Sequence, residues 1–250
     1  MEPCGERAIM AGRLKKGQGQ GGRAGEEEGN AMLETDVFVD APDTPEGSLP
    51  GMLLLPGRAC GLVVFAHGSG SSRMSPRNRQ LAGWLAERGL ATLLFDLLTA
   101  SEAAGRANVF DIPLLARRLV RAVEWAARVP PLDSLPVGLF GASTGAAAAL
   151  LAAAQAPQRV AAVVSRGGRA DMVVDDLARV TAPTLLIVGS HDPQVLALNR
   201  LALSRLTCDC RLEIVPGATH LFEEPGALRQ VAGLAGGWFA RHLCGAGEKA

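Results

Sequence analysis

The sequence predicts an α/β protein, a mostly parallel twisted sheet of about eight strands with helices on both faces. Three observations lead there. From about residue 32 onward, short continuous apolar runs alternate with longer segments of helical period, as in βα units joined by right-handed crossovers. The strand-like runs are apolar at successive positions, which burial on both faces of a parallel sheet requires. The side chains capable of chemistry collect just after those runs, where open parallel sheets bind their ligands.

Taken in order, residues 1–31 differ from everything after them. The stretch KKGQGQGGRAGEEEGN is glycine-rich and charged without hydrophobic periodicity, so it reads as a disordered tail ahead of a single domain over 32–250. TDVFVDA alternates apolar and polar residues, and GMLLLPG follows a Pro/Gly-rich turn; together they predict an antiparallel pair at a sheet edge. GLVVFA is a buried third strand, RNRQLAGWLAERG an amphipathic helix ending at Gly89, and LATLLFD the fourth strand. FDIPLLARRLVRAVEWAARVP predicts a longer helix with Leu115, Leu119, Val123 and Ala126 on one face. PVGLFG leads into the helical TGAAAALLAAAQA, and VAAVVSRGG into a helix of about ten residues from Asp171. TLLIVGS leads into PQVLALNRLALSRL, and CRLEIVPG into a last helix from about Pro225 to His242. The segment between the sixth strand and Pro183 is too short for a large lid domain.

Composition narrows the function classes. The 25 basic and 25 acidic residues balance, so nothing favours a nucleic-acid or anionic-membrane partner. Aromatic content of 4%, without tyrosine, argues against platforms for stacking bases or sugars. Cys208 and Cys210 would share one face of a strand with no second ligand pair at metal spacing, so they read as packing residues and no metal is expected. Five cysteines do not make a disulfide framework, no apolar run reaches membrane length, and no signal-peptide core opens the chain. These point to the cytoplasm, with no membrane partner.

The strand ends carry HGSGSSR, GASTG, GSHDP and GATHLF. A serine hydroxyl is a poor nucleophile unless a base activates it and a third group orients that base. It must also stand on a sharp strand-to-helix turn, which crowds its neighbours and calls for glycine two residues to each side. Gly141 and Gly145 flank Ser143 in that way. The spacing alone is weak, since a glycine-lined helix cap would look the same; the buried strand before it and the helix after it favour the nucleophile. His220 follows the eighth strand as candidate base, and Asp192 follows the seventh as orienter or, equally, as a helix N-cap before Pro193. Asp171 and Asp175 are fallback acids. The oxyanion donors would be the backbone N–H groups of Thr144 and Ser69, with Gly68 or Gly70 as alternatives to Ser69, and His67 would brace that loop. Arg73 and Arg166 are candidates for binding an anionic substrate group if arginines converge on the mouth.

VVFAHGSGSSR, LFGASTGAAAAL, PTLLIVGSHDPQV and IVPGATHLFEEPGAL, in this order, resemble the α/β-hydrolase superfamily and within it dienelactone-hydrolase-like proteins. The likeness covers about Leu33 to His242. It implies a triad of Ser143, Asp192 and His220, no cofactor, and a small-molecule ester, lactone or thioester substrate for a monomer or homodimer. The namesake of the family has cysteine as nucleophile where this chain has Ser143, so the resemblance points to a general carboxylesterase as much as to a lactonase. The alternatives are transfer of the acyl group to another acceptor, cleavage of an amide or activated C–C bond, and a non-catalytic binding protein on the same fold.

Overall fold

Apolar alternation at one edge and continuous apolar runs in the centre sort the strands into their places. The computed structural model describes residues 32–245; the glycine-rich stretch expected to be a disordered tail lies outside them. Strands β1 (Met32–Asp40) and β2 (Ser48–Pro56) pair antiparallel, and β2 pairs antiparallel with β4 (Leu90–Phe95). The other five, β3 (Gly61–Ala66), β5 (Val137–Ala142), β6 (Ala162–Arg166), β7 (Thr184–Gly189) and β8 (Cys210–Val215), run parallel to β4 in the order β1-β2-β4-β3-β5-β6-β7-β8. Every residue of β3, β4, β5, β6 and β7 is buried, as their unbroken apolar patterns require.

Helices cover both faces. On one lie α4 (Ile112–Ala126) and α5 (Thr144–Gln155); on the other, α1 (Pro76–Ala86) and α7 (Ala227–Phe239). Leu115, Leu119, Val123 and Ala126 form the buried stripe of α4. Helix α5 is apolar all round because it is sandwiched between sheet and α4, and its alanines let it approach both closely. At the start of the sheet α7 and the turn after it pack into notches. A Cβ on Gly138 would stand 2.6 Å from the Phe239 ring, and one on Gly61 would stand 2.6 Å from Leu243 Cβ. The same end holds a Cys60–Cys244 disulfide, a pairing across 184 residues.

Two segments depart from the sequence reading. The helix expected from Asp171 is instead two 3₁₀ turns, Ala170–Val173 and Leu177–Arg179. The segment carries adjacent β-branched valines and three aspartates, which are weak helix formers, and its anchors Ala170, Val173, Leu177 and Val180 are buried one turn at a time. Between β4 and α4 the chain forms the short helices α2 (Ala100–Ala103) and α3 (Arg106–Val109), which the sequence reading passed over. Thr99 and Glu102 make a capping box on α2, and the buried Arg118 of α4 reaches Glu102 Oε1 (2.7 Å) and Asp43 Oδ1 (2.6 Å). This small cap sits beside the ends of β3 and β4; no large lid is inserted.

Candidate active site

Ser143 closes β5 and opens α5 at φ 52°, ψ −119°, a conformation that non-glycine residues rarely adopt. The flanking glycines are required by contact. A Cβ on Gly141 would lie 2.4 Å from Ala146 Cα, and one on Gly145 would lie 2.2 Å from the Ala66 carbonyl oxygen. The strained turn, worth of order 1–3 kcal/mol, persists because its backbone is held on both sides. Ser143 N–H donates to the Arg166 carbonyl (3.1 Å), while Ala146 N–H (3.0 Å) and Arg169 N–H (3.1 Å) donate to the Ser143 carbonyl.

Asp192 makes two contacts at once. It caps α6 (Pro193–Arg205), accepting the Val195 N–H at Oδ1 (3.4 Å), and its Oδ2 accepts from His220 Nδ1 at 2.6 Å. With the proton on Nδ1, Nε2 is left bare, the tautomer a base needs. The two loops meet because Gly189 has no side chain: a Cβ there would stand 2.2 Å from the Ala218 carbonyl oxygen. The His220 ring rests on Gly167, whose own Cβ would lie 3.3 Å from Nδ1 and Cε1. Gly167 directly follows Arg166, which grips the Ser143 turn, so the imidazole and the hydroxyl belong to adjoining loops. Among the described residues no hydrogen bond yet joins Ser143 Oγ to His220 Nε2. Glu224 Oε1 steadies the histidine loop through Thr219 N–H (3.0 Å) and Oγ1 (2.5 Å).

Opposite His220, the loop after β3 folds against the serine turn. A Cβ on Gly68 would come within 3.2 Å of Ser143 Cβ, and Ser69 N–H donates to Thr144 Oγ1 at 2.8 Å. His67 braces the loop from below: its Nδ1–H donates to the Gly68 carbonyl (3.1 Å) and its Nε2 accepts the Leu97 N–H (3.2 Å). Burial pushes its pKa down, against smaller opposing effects of the Gly68 carbonyl and Asp96. The part taken by the Thr144 hydroxyl is not legible from sequence, which marks that residue only for its N–H.

Four arginines of these loops and of α1 are paired with acids. Arg73 is bound to Asp96, through its backbone N–H (2.7 Å to Oδ1) and its guanidinium. Arg77 pairs with Glu223, Arg79 with Glu34, and Arg169 with Asp171 through two bonds of 2.8 Å. That last pair occupies one of the fallback acids. Arg166 is 8% exposed, lies 6.0 Å from the Phe140 ring centre, and its buried Nη1 has no partner. Burial and the nearby Arg77 lower its pKa to about 10, so it remains a cation at neutral pH. Among the described residues no cluster of three or more His, Cys, Asp or Glu side chains is arranged to hold a metal ion, and no helix is long and apolar enough to cross a membrane.

A parallel sheet with a serine on a strained strand–helix turn, followed by an acid after β7 and a histidine after β8, defines an α/β hydrolase, and the chain belongs to that family: residues 59–230 match its alpha/beta hydrolase domain. The relatives are more particular. The protein is similar to the dienelactone hydrolase of Anabaena variabilis, with 53% identity, a TM-score of 0.81, and coverage of 85% of this chain and 99% of that one. Est1E from Butyrivibrio proteoclasticus shares the fold at 16% identity and a TM-score of 0.71, over 83% of this chain and 98% of that one. Two Mycobacterium tuberculosis proteins named as phosphoribosyl transferases are 60% identical over 216 residues, 86% of this chain. The match spans 48% of their length, so the chain covers about half of these relatives.

Proposed function

We propose that the protein is a serine hydrolase that cleaves carboxylic esters, lactones and thioesters included, through an acyl-serine intermediate. The observation that carries this reading is the 2.6 Å bond from His220 Nδ1 to Asp192, set on the loop that grips the strained Ser143 turn. In this mechanism His220 Nε2 takes the Ser143 proton as Oγ attacks the carbonyl carbon. Asp192 orients the imidazole and stabilises the imidazolium that forms. The backbone N–H of Thr144, at the first turn of α5, receives the oxyanion together with a glycine N–H of the loop after β3, Gly68 or Gly70; the Ser69 N–H expected for this task is already committed to Thr144 Oγ1. Collapse of the tetrahedral adduct expels the alcohol or thiol, which takes its proton from His220; water then repeats the sequence on the acyl-serine. No step calls for a cofactor.

Of the two arginines considered for substrate binding, Arg73 is neutralised by Asp96, while Arg166 keeps an unpartnered Nη1 and is the one to which we assign any anionic substrate group. The transferase in the name of the M. tuberculosis relatives belongs to proteins of which the match spans 48%, and it is not assigned to this chain. A cytoplasmic setting and a monomer or homodimer complete the proposal. The test is labelling with a fluorophosphonate probe together with turnover of p-nitrophenyl acetate. Both are expected in the native protein and lost in Ser143→Ala. A folded native protein that neither labels nor turns over ester would favour a binding role for the fold.

A further inference from the structure

Beside the oxyanion loop lies a cavity of about 570 Å³, within the range of small-molecule sites. We propose that it is the acyl pocket and that it accepts an uncharged, mainly hydrocarbon acyl group; this rests on the ester-hydrolase reading above. The direction of the substrate follows from the chemistry. His220 must hand its proton to the leaving alcohol, so the alcohol side of the ester lies toward His220. The carbonyl oxygen lies at the Thr144 N–H and a glycine N–H of the loop after β3, and the acyl group is left to point over that loop. The cavity opens there. Its walls are that loop, Glu46, Ser48 and Pro50 from the β1–β2 turn and β2, Leu97–Thr99 after β4, the α2–α3 cap and the inner face of α4; none comes from the loops bearing Asp192 and His220. Gly68, in its wall, is the same residue that abuts Ser143 Cβ, so the cavity begins next to the nucleophile.

The lining sets the substrate class. Leu97, Leu98, Ala103, Val109 and Leu115 supply hydrocarbon. Of the two basic side chains on the wall, Arg73 is tied to Asp96 and His67 has both ring nitrogens engaged, while Glu46 adds a further acid. An acyl group ending in a carboxylate would meet two acids and no unpaired cation, at a desolvation penalty with nothing to offset it. A saturated chain instead gains from each methylene it buries, about 0.8 kcal/mol or roughly fourfold in kcat/KM at full burial.

A series of p-nitrophenyl acetate, butanoate, hexanoate and hemisuccinate tests this with the native protein. The expected result is kcat/KM rising at least tenfold from acetate to hexanoate, with hemisuccinate at least tenfold below butanoate. Val109→Trp fills the cavity and should cut the hexanoate-to-acetate ratio at least tenfold; Ala103→Phe does the same from the exposed side should the first variant fold poorly by circular dichroism. A flat series, a preference for hemisuccinate, or a ratio untouched by both fillings overturns the pocket. Failure of the ester-hydrolase reading shows separately, as absent probe labelling and absent acetate turnover. In that event the pocket is read by binding. Ser143→Ala should show saturation-transfer NMR contact with p-nitrophenyl hexanoate that Val109→Trp removes, and no such contact would overturn it.

Discussion

The backbone N–H of Ser69 points at the hydroxyl oxygen of Thr144, 2.8 Å away, tying the loop after β3 to the first residue of α5. One bond thus holds the loop that carries the second proposed oxyanion donor, Gly68 or Gly70, against the residue that carries the first. Thr144 is 3% exposed, so water is poorly placed to substitute for its hydroxyl. Thr144→Val, nearly isosteric, should lower kcat about tenfold on p-nitrophenyl acetate, the effect of one hydrogen bond in a preorganised site, with little change in KM. Thr144→Ser should restore most of the rate. Steady-state kinetics of the two variants checks this, and equal activity of Val and Ser would separate the bond from catalysis.

Asp192 joins two tasks that substitution can pull apart. Asparagine is as good an N-cap as aspartate, so Asp192→Asn should leave the melting temperature close to native. Its amide nitrogen cannot accept the Nδ1 proton, so the ring is no longer held in the productive tautomer and kcat should fall roughly 10³–10⁴-fold. Asp192→Ala should lose the same activity and also about 1 kcal/mol of stability with the cap. Thermal melts run beside turnover assays distinguish the two losses.

These particulars show how much the sequence could tell. Strand order at the edge, the buried central strands and the Ser143 turn follow from short-range patterns, because period, glycine spacing and apolar runs are local. Asp192 reads from sequence as cap or orienter, and its one carboxylate accepts both from the Val195 N–H and from His220 Nδ1. What local pattern cannot supply is the partner of a charge. Arg73 looks in sequence like a mouth residue, yet it is spent on Asp96, 23 positions away. The segment after β6 forms 3₁₀ turns and not the expected helix because burial of single anchors, not propensity, shapes it. The Cys60–Cys244 pairing spans almost the whole domain, and nothing in the odd cysteine count announces it.

That disulfide sits at the opposite end of the sheet from the chemistry, between the residue before β3 and the turn after α7. Where it is formed, it closes a loop of 184 residues and should stabilise the fold by about 2–4 kcal/mol, chiefly through the unfolded chain. In a reducing compartment the two would be thiols and the contribution absent. Cys60→Ser and dithiothreitol should each lower the urea midpoint by the same amount, without additivity, while kcat at 25 °C stays at the native value. An additive loss would mean that the serine acts by packing and not through the bond.

His67 gives the fold an acid-sensitive point with a definite sign. Its ring is held neutral by burial, with Nε2 already occupied in accepting the Leu97 N–H, so the folded state resists the proton. The unfolded chain takes that proton near the ordinary value of 6.5. Above 6.5 both states are neutral and the residue contributes no pH dependence. Below it the unfolded state binds more protons, so stability falls as pH drops, by up to about 1.4 kcal/mol per unit, until the lowered folded value is reached. His242, also held down by burial, adds a smaller slope of the same sign, since it is more open to water. His67→Asn should remove the larger part of the slope between pH 6.5 and 5. Urea titrations of both proteins across that interval test it: parallel curves would mean that the native ring titrates as freely as in water, and the tether from β4 to the oxyanion loop would then have to be held by other groups.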